Sequence, residues 1–124
     1  MPTVVSFEQA PPLGAPLRFF LTAPIFSALA AVLMLVQGPS LWASRWVPGV
    51  LAVTHLMTVG FMLQVMLGAL QQLLPIVVGA PIERPLAVAR VVHACITAGL
   101  LLLVGGFLWG RPWSFAGAAV LLGA

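Results

Sequence analysis

Three stretches of this chain, at about residues 17–36, 47–78 and 86–109, run for about twenty residues or more with almost no charge, and they limit what it can fold into. A helix rises ~1.5 Å per residue, so about twenty residues match a ~30 Å hydrocarbon layer. Inside that layer the backbone has no water to bond, and a helix satisfies its own N–H and C=O groups. The composition agrees. With 62% hydrophobic and 6% charged residues, the chain lacks the polar surface that a water-soluble domain of this size needs. The fold expected is all-α, a polytopic transmembrane helix bundle in contact with the lipid bilayer.

Punctuation along the chain divides it further. Residues 1–16 are rich in proline and lack the basic start and apolar centre of a secretory signal, so they read as an extended arm before a transmembrane domain over 17–124. Gln37, Gly38 and Pro39 end the first span, and Trp42 and Trp46 flank Arg45 in the connection, as a membrane interface favours. The second span is longer than a straight crossing requires and holds Pro75, where a kink or an exit is expected. Residues 79–85 form a polar turn, and Arg111 and Pro112 close the third span. The apolar stretch 113–124 corresponds to ~18 Å of helix, too short to cross, and reads as a truncated fourth helix of a longer domain.

Charge and cysteine content exclude several function classes. The five arginines are scattered singly and not clustered as a phosphate-binding stripe, so no nucleic-acid partner is expected. Cys95 is the only cysteine, so one chain has neither a disulfide nor a thiolate zinc site. Arg18, Arg84 and Arg90 fall on one side of the membrane and Arg45 and Arg111 on the other, which places the N-terminus in the cytoplasm. Glu8 and Glu83 lie outside the spans, and no nucleophile–base pair, phosphate loop or carboxylate cluster is present.

The second span carries the chemistry. An ionisable side chain within a span normally faces a bundle interior, a water-filled cavity or a metal, and His55 sits about one turn inside. At 100° per residue His55, Val59, Met62, Met66 and Leu73 share one stripe, while Gly60, Gln64, Gly68 and Gln71 share the opposite one. The first stripe sets an imidazole above thioethers and aliphatic groups, a lining that suits a porphyrin and equally suits plain packing. The second offers close helix approach and amides that bond across helices. His93 is a poor second ligand. With the spans centred near Met62 and Ala98, His55 and His93 lie ~18 Å apart in depth, and His93, one turn from Arg90 and four residues before Thr97, reads as a hydrogen-bonded interfacial histidine.

Arg18-Phe19-Phe20, His55-x-Met57-x-x-Gly60-Phe61 and Pro75-x-x-x-Gly79 together resemble the NnrS family, bacterial haem- and copper-containing membrane proteins linked to nitric oxide metabolism. More distantly the chain is similar to subunit I of the haem-copper oxidases. The resemblance spans roughly residues 16–85 and implies a bacterial inner-membrane protein that binds haem b, with His55 as an axial iron ligand; the shared stripe then puts Val59, Met62 and Met66 beside the cofactor. NnrS-like sequences carry a further His two places before this one and a Glu just after it. Val53 and Leu56 stand there, which puts copper and any acid–base role in doubt. Haem binding without turnover by this chain alone is the expectation, with possible roles in electron transfer or nitric oxide response and the other axial ligand coming from a second copy or other membrane helices. The alternative is a cofactor-free membrane scaffold or transporter portion, in which His55 bonds to a neighbouring helix.

Overall fold

The computed structural model describes residues 11–79 and 82–123, and among them there is no strand. Helix α1 spans Gly14–Gln37 and passes through a 3₁₀ turn, Gly38–Ala43. Helix α2 runs without a break over Pro48–Val78, α3 over Pro85–Trp109 and the shorter α4 over Pro112–Gly123. The first three are long and apolar enough to cross a membrane, so the protein is a membrane protein built as a transmembrane helix bundle. The first ten residues of the predicted arm lie outside the described residues. Helix α1 begins inside the rest of that arm, with Pro16 in its first turn, where a missing N–H costs nothing.

Each boundary has a local cause. Helix α2 opens on Pro48 and α3 on Pro85, positions where proline's fixed φ suits a helix start. Gly79 and Gly110 end α2 and α3 at φ 71° and 62°, left-handed conformations that glycine adopts without a Cβ clash. Proline at Pro75 does not end α2, which continues to Val78.

Helix α1 packs along both halves of α2 and against α3, and α4 lies on α3. Toward the tryptophan loop, Phe26 and Ala30 of α1 meet Leu56 of α2 and Leu100 of α3, with Val53, Val59 and Val104 around them. At the opposite end Ala15 and Phe19 pack on Ala89, next to Leu67 and Leu86. Small residues let the backbones approach. A Cβ on Gly60 would stand 2.6 Å from the Phe26 Cβ, and one on Gly99 2.8 Å from the Leu122 Cγ. Large apolar side chains such as Leu21, Leu35, Leu73 and Val91 point outward, the inversion that lipid contact permits.

Candidate functional site

The middle of α2 is wound differently from its ends. Residues Leu56–Leu63 form a π-helical segment between α-helical Pro48–His55 and Gln64–Val78. Side chains at its start take up backbone carbonyls that a regular ladder uses. Thr54 Oγ1 donates to Val50 O at 2.8 Å, Thr58 Oγ1 to Thr54 O at 2.8 Å, and His55 Nδ1 bonds Leu51 O at 2.7 Å. Three side chains thus compete for carbonyls that the ladder uses, and such back-bonding bends helices. Single π turns recur at functional sites, where they re-aim side chains.

His55 is held in one orientation by this arrangement. Leu51 O can only accept, so Nδ1 carries the proton and Nε2 presents its lone pair. Among the described residues nothing hydrogen-bonds Nε2. The imidazole is half-buried and lies against Phe107 of α3, ring centroids 5.2 Å apart at an interplanar angle of 36°. Phe107 in turn stacks edge-on against Phe115 of α4. A ring backed by an aromatic, anchored at Nδ1 and free at Nε2 has the form of an imidazole prepared for a metal or a donor.

The other three predicted site residues part from it. Val59 packs into the apolar cluster beside Leu56 and Leu100. Met62 and Met66 face outward from the bundle, 55% and 57% exposed, as does Leu73. None of the four predicted site residues lines the groove between α1 and α2, that between α3 and α4, that between α1 and α3 beside Leu56, or that at the start of α3. The His55 ring itself is turned toward Phe107 of α3, while Met62 and Met66 are exposed further along α2. No group of three or more His, Cys, Asp or Glu is gathered among the described residues.

The opposite stripe is the buried one. Gly60, Gln64, Gly68 and Gln71 all lie within the bundle. Gln64, 0% exposed, sends Nε2 to Thr97 Oγ1 at 3.3 Å. The carboxamide oxygens of Gln64 and Gln71 have no partner, and a buried orphan acceptor costs about 1–3 kcal/mol. Gln71→Leu, which removes one orphan at similar volume, is expected to leave the bundle as stable or more stable. Heating with a thiol-specific dye that reports exposure of Cys95 is the check, and a lowered midpoint contradicts it.

His93 lies far from His55. Thr22 Oγ1 spends its one proton on Arg18 O at 2.7 Å, so His93 Nε2–H is the donor in its 2.7 Å bond to Thr22 Oγ1. Phe19 meets the ring edge-on at 5.3 Å. His93 is fourteen residues before Phe107 on α3, which puts it ~21 Å from the height of His55. The hydrogen bond expected of His93 from the sequence is therefore present. Its partner Thr22 went unassigned, although Arg18 and Thr22, four apart at the same end of the bundle, were a legible signal. Phe107 as the backing of His55 had no sequence signal.

No family model matches the chain, and no curated protein or solved structure matches it.

Proposed function

We propose that this protein binds haem b in the membrane through His55 Nε2 as an axial iron ligand. The observation that carries the reading is the Nδ1–H bond to Leu51 O at 2.7 Å, which fixes the tautomer and leaves Nε2 bare. Haem held there would supply one-electron redox chemistry and an iron site for a small ligand such as nitric oxide. Within this chain the residues fit one axial position. Phe107 backs the imidazole, and Met62 and Met66 present exposed, polarizable thioethers further along α2. A second copy or another membrane helix completes the site in this reading. Copper is left without a ligand set, since Val53 and Leu56 flank His55. The resemblance to NnrS further favours a bacterial cytoplasmic membrane, and the arginine distribution a cytoplasmic N-terminus.

The rival reading, a cofactor-free scaffold, gives His55 an interhelical hydrogen bond. Among the described residues the side-chain bonds between helices are made instead by His93 to Thr22 and by Gln64 to Thr97. Purified in detergent from haem-replete cells, the protein is expected to show a Soret band and a pyridine-haemochrome spectrum. A colourless protein with unchanged helix content favours the scaffold. His93→Ala separates the histidines further: it is expected to keep most of the haem, because its height excludes it from the same iron, while losing the Thr22 bond and some stability, ~1 kcal/mol. Haem loss in His93→Ala with helix content retained is the contrary result.

A further inference from the structure

The tryptophan end of the bundle carries one arrangement twice. In the connection between α1 and α2, the Arg45 guanidinium lies over the ring of Trp46, 5.5 Å from its centroid. Between α3 and α4, Arg111 lies over Trp113 at 5.9 Å. Each arginine stands at a groove with a serine beside it and apolar walls. The first, about 350 Å³, runs from Arg45 and Ser44 to Met34, Val50 and Val53. The second, about 380 Å³, runs from Arg111 and Ser114 to Leu101 and Leu102. Leu101 is eight residues, ~12 Å, inside the end of α3, so the groove reaches well into the hydrocarbon. Both volumes fall within the range of small-molecule sites.

Among the described residues no acid offsets the charge on this face. Glu83 is the one acid among the described residues, and it lies in the turn at the opposite end of the bundle. Neither guanidinium has an acidic partner among the described residues, and the guanidinium N–H fork matches two oxygens of a phosphate. An oxyanion at head-group level joined to a hydrocarbon chain satisfies both halves of each groove.

We propose that the two grooves bind anionic phospholipid of the adjoining leaflet, Arg45 and Arg111 each holding a phosphate while an acyl chain lies along the apolar wall. The protein carries its own reporter, because all four tryptophans, Trp42, Trp46, Trp109 and Trp113, lie exposed at this one end. The full chain is reconstituted in phosphatidylcholine vesicles holding a fixed fraction of phosphatidylglycerol, with bromine on the chains of either the glycerol or the choline lipid. Quenching by brominated phosphatidylglycerol is expected to exceed that by brominated phosphatidylcholine at equal fraction, with a relative affinity of about fivefold at each arginine. Arg45→Gln with Arg111→Gln is expected to bring the ratio close to one, and Arg90→Gln, at the other end, to leave it unchanged. Equal quenching by the two lipids in the unaltered protein overturns the proposal and needs no variant to fold. A preference that survives the double substitution, or falls equally in Arg90→Gln, overturns it as well by making it an effect of overall charge.

Discussion

His55→Ala is expected to insert normally, keep its helix content and carry no haem. Insertion is driven by three spans whose best windows have mean hydropathies of 2.4, 1.9 and 2.2, and one imidazole contributes nothing favourable to it. The side chain is half-buried and its hydrogen bond stays within its own helix, so its removal breaks no hydrogen bond between helices and one ring contact, that with Phe107. In the proposed reading haem is held by the Nε2 lone pair, which alanine lacks. The measurement is haem-to-protein stoichiometry by pyridine haemochrome, alongside far-ultraviolet circular dichroism. Full stoichiometry in the variant removes His55 from the iron, while lost haem together with lost helix would assign it a structural role.

The parts legible in the sequence were those that depend on local composition. Spans expected at 17–36, 47–78 and 86–109 correspond to Gly14–Gln37, Pro48–Val78 and Pro85–Trp109, because lipid demands an unbroken apolar run and Gly or Pro must interrupt it. The small-residue stripe of α2 was equally legible, and Gly60, Gln64, Gly68 and Gln71 are all buried. The surroundings of His55 were not. An evenly wound helix puts Met62 and Met66 directly beneath it, whereas the π segment takes more than 3.6 residues for each turn and carries the methionines round toward lipid. Hydroxyls at Thr54 and Thr58 hint at loosened winding, yet the same spacing also occurs in regular helices. Partners such as Phe107 for His55 and Thr22 for His93 depend on which helices adjoin, which periodicity along one segment does not encode.

Gly60→Ala, the smallest possible enlargement, is expected to destabilise the whole bundle. Glycine in a helix normally costs ~1 kcal/mol relative to alanine, so propensity alone predicts a gain. Packing opposes it. The added carbon would meet the Phe26 Cβ at 2.6 Å and its Cγ at 2.8 Å, atoms at the root of a side chain that is itself buried against Ala30, Leu56 and Leu100. Those atoms cannot turn aside as the tip of Leu100 can, so α1 must move away from α2 and open the cluster that joins three helices. Overpacking of this kind costs about 1–3 kcal/mol, enough to exceed the propensity gain. Gly105→Ala is the control, because its Cβ would stand 3.5 Å from the Trp109 ring, an ordinary contact, and it should be neutral or slightly stabilising. Thermal midpoints read from dye labelling of Cys95, half-buried on α3, should fall for Gly60→Ala and hold for Gly105→Ala. If both variants gain stability together, the close approach of α1 and α2 at Gly60 is not what holds the three helices together.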